Sequence, residues 1–287
     1  MFVFSVRQPG RCKMENMKTH LIINADDYGR SAGISAGIRH AHLLGVVTST
    51  TCMLNQPTVE SDLRLALSEC PALGLGVHLN LTSGHPLTGA AHLSALVDSK
   101  GSFPGLNDFL LRLPNLDLAQ VEAEWRAQIE TFAAICRKNP THLDSHHHSS
   151  FLSPGLFRLM CRLATEYGCA IRLPIWQGSI ASGIPDALMA EMGRYLPLVL
   201  QEYPRPHPDG FISTFYDAGV SLPEMLSIIE KLPGGTFEIM THPGYVDAEL
   251  DSAYSSPREK ELSVLTDPGL RPELENRQVQ LIHFGDL

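Results

Sequence analysis

The regular alternation of strand-like and helix-like segments is the feature that most constrains the fold. Short apolar runs, such as residues 21–25 and 237–241, are typical of buried strands, whereas residues 116–137 carry apolar side chains at helical spacing. The alternation recurs seven or eight times, as in parallel βα units with right-handed crossovers. It predicts an α/β fold, most simply a closed or nearly closed barrel. An open doubly wound sheet is the alternative, but no Gly-x-Gly-x-x-Gly follows the first strand.

The domain organisation is predicted to be simple. We find no internal repeat, low-complexity segment or linker, so we assign residues 19–287 to one barrel domain. Residues 1–18 form a ragged N-terminal tail in which Met14 and Met17 are alternative starts. This tail is charged throughout and lacks a continuous apolar core, which argues against a secretory signal.

Composition excludes several classes of function. The chain has 31 Asp plus Glu against 22 Lys plus Arg, and its formal net charge of −9 argues against nucleic-acid binding. It contains no apolar run of about 20 residues, the length needed to cross a membrane. The six cysteines include no Cys-x-x-Cys pair, which favours reduced thiols over a sulfur-ligated zinc site. We therefore expect a cytoplasmic protein.

Two adjacent carboxylates, Asp26 and Asp27, follow the first apolar run and precede Gly29. They do not suit a glycosidase, which needs two carboxyl groups about 5 Å or more apart on opposite sides of one bond. A better hypothesis is that one aspartate binds a metal ion and its neighbour handles a proton. The alternative is that Asp26 caps the next helix and Asp27 is a solvated turn residue.

Histidines occur at other predicted strand ends: His78, the motif His142-x-Asp144-x-His146, and His242. In a parallel barrel these ends share one face, so distant residues can converge there. On a strand, His142 and His146 would lie about 13 Å apart and could not share an ion. We therefore predict His146 as a ligand, Asp144 as its support, and His142 as a hydrogen-bonded core residue.

Asp27, His78 and His146 together would leave coordination positions open for water and substrate, as a hydrolytic metal requires. Asp26 would then take a proton from that water, and His242 would give one to the leaving group. We also predict contacts to substrate or to these groups for three further residues: Arg172, His147 and His148. The alternative for each is a solvent-exposed surface residue.

A family resemblance rests on Asn24-Ala25-Asp26-Asp27-Tyr28-Gly29, Val47-Thr48-Ser49-Thr50-Thr51, Gly76-Val77-His78, Thr141-His142-Leu143-Asp144-Ser145-His146-His147-His148 and Thr241-His242-Pro243. In order and spacing these motifs resemble the YdjC-like carbohydrate deacetylases, also called the ChbG/HpnK family. The resemblance runs from about Leu21 to the C-terminus. One difference is Ser149-Ser150, where many members continue the histidine run as x-His.

The resemblance implies a distorted TIM-like (β/α) barrel of seven to eight parallel strands, often as a homodimer. It also implies a divalent ion (Mg or Zn, with Mn or Co as further options) held by Asp27, His78 and His146, with Asp26 as base and His242 as acid. The implied reaction removes an N-acetyl group from a small acetylated sugar. Other hypotheses are a metal-dependent sugar isomerase or phosphoesterase on the same barrel, and a non-catalytic sugar-binding protein.

Overall fold

The computed structural model describes residues 18–173, 186–250 and 252–287. The predicted tail lies outside these ranges, apart from Lys18. All strand pairs are parallel and belong to one sheet. The strands are β1 (Thr19–Tyr28), β2 (Ser49–Cys52), β3 (Gly74–Leu79), β4 (His142–Ser145), β5 (Ala170–Ile171), β6 (Gly210–Ile212), β7 (Gly235–Thr241) and β8 (Val279–Leu281).

Helices connect most of these strands. They are α1 (Ala32–Leu43), α2 (Val59–Glu69), α3 (Leu106–Arg112), α4 (Leu118–Cys136), α5 (Pro154–Tyr167), α6 (Asp186–Glu202), α7 (Leu222–Glu230), α8 (Ser256–Leu265) and α9 (Leu270–Asn276). The glycine- and proline-rich stretch of residues 82–114 contains the short helix α3, and the sequence did not predict α9. No helix in the described ranges is long and apolar enough to cross a membrane.

The sheet has the order β5-β4-β3-β2-β1-β7-β6, and β8 pairs with the first residues of β1. This eight-stranded sheet forms a half-barrel, which confirms the predicted distorted barrel of seven to eight parallel strands in an open form. In the described part of the chain no strand ladder joins β5 to β6. A backbone hydrogen bond from Ile171 N to Pro206 O, at 3.0 Å, links β5 to the segment before β6.

Local sequence signals explain the element boundaries. Helix α5 begins at Pro154, whose fixed φ suits the first turn, after the Ser153 side chain has capped the N–H of Leu156. It ends at Gly168, which adopts the left-handed conformation (φ 70°) typical of a helix C-terminus. A serine cap, a proline and a glycine therefore account for the bounds of this helix.

The core lies between the sheet and the helices that cover it. On α4 the predicted apolar face of Val121, Trp125, Ile129 and Phe132 is fully buried. Because all the strand pairs are parallel, every strand's C-terminal end opens at the same face of the half-barrel. That face carries the polar strand-end residues.

Candidate active site

The end of β1 is kinked. Its pairing with β2 shifts register between Ala25 and Tyr28, and Asp27 has a φ of 72°, a left-handed conformation that Asp tolerates better than most residues. The kink breaks the alternation of a regular strand, so Asp26 and Asp27 line the same cavity. Both side chains are buried, and Ser31 caps α1. The alternative of Asp26 as a cap and Asp27 as a solvated turn residue is therefore wrong.

Strands β1, β3 and β4 bring Asp27, His78 and His146 together. Their ligand atoms lie within 4.8 Å of one another, and all three residues are buried. Asp27 Oδ1 lies 3.2 Å from His146 Nδ1 and 3.6 Å from His78 Nε2. The two ring nitrogens are 3.3 Å apart. One carboxylate oxygen and two imidazole nitrogens thus face a common point.

The donor set fits a divalent metal ion. Asp27 Oδ1 is buried and accepts no hydrogen bond from any described residue, which is costly for a carboxylate oxygen unless a cation satisfies it. On the far side of its ring, His78 Nδ1 lies 2.7 Å from Asp144 Oδ1. Such a carboxylate fixes the imidazole tautomer and leaves Nε2 free as a ligand. An oxygen and two imidazoles suit zinc and other borderline divalent ions.

Asp26 is held as a carboxylate beside these three groups. Arg172 NH1 and NH2 each donate a hydrogen bond of 2.7 Å to it, and Asn24 Nδ2 donates a third of 2.8 Å. Burial alone would raise the pKa of Asp26, but the charge and hydrogen bonds of Arg172 lower it well below its usual value. Behind Asn24, His142 Nε2 donates to Asn24 Oδ1 at 3.1 Å, as expected of a hydrogen-bonded core residue.

Arg172 is fully buried among three carboxylates. Besides Asp26, its NH1 lies 2.9 Å from Asp144 Oδ2, and its Nε and NH2 donate to Glu238 Oε1 at 2.8 and 2.7 Å. Burial, together with the negative charges of Asp26 and Asp144, raises the pKa of Glu238 to about 7. The positive charge and hydrogen bonds of Arg172 oppose this shift but do not cancel it. We refer to Asp27, His78 and His146 as the ligand triad. Arg172 thus orients both Asp26, next to this triad, and Asp144, behind His78.

His242 follows β7 on the other side of Asp26. Its Nε2 lies 3.9 Å from Asp26 Oδ2. Burial lowers the pKa of His242 to about 4, despite the opposing effect of Asp26, so the imidazole is neutral near pH 7. The edges of Tyr216 and Tyr254 pack on this ring with centroid distances of 5.5 and 5.6 Å. His242 is therefore placed to exchange a proton with Asp26 or with a bound group.

Two arginines border the ligand triad. Arg258 NH2 donates to Asp27 Oδ2 at 2.5 Å, and Arg258 is 2% exposed. Arg30 NH1 lies 3.2 Å from His146 Nε2 and 3.8 Å from Asp27 Oδ2. Although burial opposes it, the positive charge of Arg258 helps to lower the pKa of Asp27 well below its usual value. Asp27 is thus ionised and has one oxygen left for a ligand.

These groups surround a cavity of about 430 Å³, within the usual size range of small-molecule sites. His147 and His148 also line it, and their φ angles of 53° and 54° are left-handed, which is uncommon for histidine. Leu106, the first residue of α3, also reaches the cavity. Ser150 hydrogen bonds at 2.7 Å to Ser145, a lining residue, so Ser150 lies directly behind the cavity wall.

Comparison with known proteins identifies the family. The model of the family described as YdjC-like protein matches residues 20–276. The chain belongs to the YdjC-like family. A relative from Geobacillus stearothermophilus named carbohydrate deacetylase is 38% identical over 94% of this chain and 98% of its own length. Another from Yersinia pestis, named chitooligosaccharide deacetylase, is 33% identical over 94% of this chain and 100% of its own length.

Solved structures give the same fold. The crystal structure of a protein described as a putative cellobiose-phosphate cleavage protein, from Enterococcus faecalis V583, matches this YdjC-like chain with a TM-score of 0.81 and 30% identity, over 94% of this chain and 98% of that one. A family 4 carbohydrate esterase from Streptomyces lividans matches with a TM-score of 0.50 at 11% identity, over 93% and 92% of the two chains. The latter similarity is one of fold.

Sequence reasoning missed several groups of the YdjC-like site. Tyr254 lies in the polar segment before α8, and Arg258 lies within this helix. Arg30 follows the first strand motif, so none of the three stands at a predicted strand end. Glu238 could have been found, because it is an isolated acid inside an otherwise uncharged strand, β7. Asn24 was quoted only as part of a motif, although a buried amide two residues before a carboxylate is well placed to hold it.

Proposed function

We propose that this YdjC-like protein is a metal-dependent hydrolase that removes an N-acetyl group from an acetylated carbohydrate, releasing acetate and leaving a free amine. The observation that carries the proposal is the presence, in one cavity, of the Asp27, His78 and His146 ligand atoms next to a carboxylate and a neutral imidazole. Relatives named carbohydrate deacetylase over nearly the whole chain support it.

Asp27, His78 and His146 would hold the ion, for which zinc and magnesium are the first candidates, followed by manganese and cobalt. When bound, a divalent ion supplies Lewis acidity, which lowers the pKa of water and stabilises negative charge on an amide oxygen. Asp144 keeps the His78 ring oriented through the 2.7 Å contact at Nδ1. The open cavity side leaves room for the substrate amide.

Asp26 and His242 would move the protons. Asp26 stays ionised because Arg172 pairs with both of its oxygens, and it accepts the proton of the attacking water. His242 faces Asp26 Oδ2 through Nε2 and gives a proton to the sugar nitrogen as the carbon–nitrogen bond breaks. His242 is neutral at rest, so the proton that it donates is supplied during the reaction through Asp26.

For the substrate we propose a small amino sugar or a chitooligosaccharide-like molecule bearing an N-acetyl group. The cavity volume of about 430 Å³ and its mixture of imidazole, phenol and guanidinium groups suit a polar ring with several hydroxyls. The relative named chitooligosaccharide deacetylase supports this class. We also propose a homodimer, on the family resemblance, which light scattering of the purified protein would test.

The proposed function is tested by measuring acetate and free amine from a panel of N-acetylated sugars. Wild-type protein should release both in equal amounts, whereas D26N should retain bound metal and lose most turnover. D27N should lose the metal and the activity together, and Asn suits the left-handed backbone there better than Ala would. Release of no acetate, or full activity of D27N after chelation, would refute the proposal.

A further inference from the structure

Arg258 has an unusual set of partners for a buried arginine. Its NH2 donates to Asp27 Oδ2 at 2.5 Å and its Nε donates to the Tyr254 carbonyl oxygen at 2.8 Å. Its NH1 is buried and donates no hydrogen bond to any described residue. Since an unsatisfied charged donor is expensive to bury, NH1 marks a place where an acceptor from outside the chain would be favourable.

The other buried arginine of the site gives a direct contrast. NH1, NH2 and Nε of Arg172 all lie within 2.9 Å of carboxylate oxygens of Asp26, Asp144 or Glu238. Arg172 therefore has no donor left for a substrate and acts by holding Asp26. Arg258 pairs with one carboxylate and lines the cavity, so its spare donor belongs to a residue that borders the space for substrate.

The position of Arg258 limits which substrate group can reach it. Arg258 donates to Oδ2 of Asp27, while Oδ1 of the same carboxylate faces His78 and His146. It also lies close enough to His242 for its charge to lower the pKa of that imidazole. The Arg258 guanidinium therefore lies beside both Asp27 and His242, the groups between which the reacting amide would bind in the proposed function.

Tyr254 holds the guanidinium in place. The Arg258 guanidinium carbon lies 5.6 Å from the centroid of the Tyr254 ring, and this ring stacks on Tyr216 with a centroid distance of 4.1 Å. The Tyr254 hydroxyl donates to buried Glu261. Contacts on the ring face, on Nε and on NH2 leave NH1 fixed in direction, which is the preorganisation that charge stabilisation requires.

We propose that Arg258 is a catalytic residue whose NH1 donates a hydrogen bond to the carbonyl oxygen of the substrate amide. This inference rests on the proposed deacetylase function. As water oxygen bonds to the carbonyl carbon, the carbonyl π electrons move onto oxygen, and the guanidinium stabilises that negative charge without transferring a proton. The electron pair returns as the carbon–nitrogen bond breaks and the nitrogen takes a proton from His242.

The test compares R258K with wild type and with R158K, which alters an arginine paired with Glu202 on the exposed side of α5. R258K keeps a positive charge beside Asp27 but loses the directed NH1 donor. We expect R258K to retain metal and KM within about threefold, while kcat falls about 100-fold, the usual cost of one oxyanion donor. R158K should match wild type in all three measurements.

A second measurement separates a catalytic contact from a structural one. The affinity of R258K for a tetrahedral phosphonamidate analogue of the substrate should fall by the same factor as kcat, while its affinity for the N-acetylated sugar changes little. In R258A, guanidinium ions should restore part of kcat, whereas neutral urea should not.

Three results would overturn the inference. A raised KM with unchanged kcat in R258K would show that Arg258 binds the substrate equally in the ground state and the transition state. Loss of metal in R258K would show that Arg258 only supports Asp27. Equal affinity of R258K and wild type for the analogue would show that Arg258 does not stabilise the transition state. Wild-type protein that releases no acetate would instead overturn the proposed function itself.

Discussion

The buried glutamate behind Arg172 should make folding stability depend on pH in a direction opposite to that of most carboxylates. The pKa of Glu238 rises from 4.5 to about 7 in the folded protein, chiefly because its side chain is fully buried. Between these pH values the unfolded chain has lost the proton and the folded chain keeps it. Raising the pH therefore favours unfolding, and the stabilisation present below pH 4.5 is lost as pH approaches 7.

The magnitude follows from the two pKa values. Each tenfold difference in proton affinity is worth about 1.4 kcal/mol, so the shift corresponds to about 3 kcal/mol of unfolding free energy. E238Q removes the titration while keeping a neutral side chain of the same shape, whose oxygen can still accept from Arg172 Nε and NH2. We expect E238Q to match wild type near pH 4.5 and to be more stable by about 3 kcal/mol near pH 8.

The assay is urea unfolding of both proteins from pH 4.5 to 8.5, with chelator present throughout so that metal binding does not vary with pH. E230Q, which alters an exposed glutamate at the end of α7, is the control and should run parallel to wild type. Parallel curves for E238Q and wild type would show that Glu238 ionises normally in the folded protein. The reasoning from burial would then be refuted.

Three further predictions concern the site and its supports. G37A should lose about 1–3 kcal/mol of stability in thermal or urea unfolding, because a Cβ at Gly37 would lie 2.5 Å from Gly244 Cα; G193A, with open space around it, should lose none. Chelation should lower the thermal midpoint, and restored metal should recover about 2.7 kcal/mol at 100 times Kd; an unchanged midpoint would argue against a metal site. N24A should lower kcat about tenfold with metal retained, since Asp26 loses one charge-assisted hydrogen bond; unchanged kcat would make Asn24 dispensable.

The fold was largely predictable because its signals are local. The apolar face of α4 and the proline and glycine that bound α5 specify those helices within a few residues of sequence. The lack of a strand ladder between β5 and β6 in the described residues was not predictable, since it depends on how short those strands are and on distant pairing. Helix α9 was missed because only Leu270 and Leu274 of its seven residues are buried, too few to set a period.

The site was predictable where residues stand at strand ends, and less so elsewhere. Parallel topology alone brings Asp27, His78 and His146 to one face, and the structure places them within 4.8 Å. The roles of Arg258 and Glu238 could not be read from their neighbours in sequence. Their partners, Asp27 and Arg172, lie 231 and 66 residues away along the chain.

The left-handed backbone at Asp27 restricts what evolution or engineering can place there. Asparagine and aspartate are the non-glycine residues that accept such a φ of 72° with little strain, and of these two only aspartate offers an anionic oxygen. Glutamate, the usual conservative exchange, would be strained in the left-handed backbone conformation and would also place its carboxylate one carbon further from the backbone. Changes that tune the affinity for the proposed ion are therefore left to the two histidines and to the arginines around them.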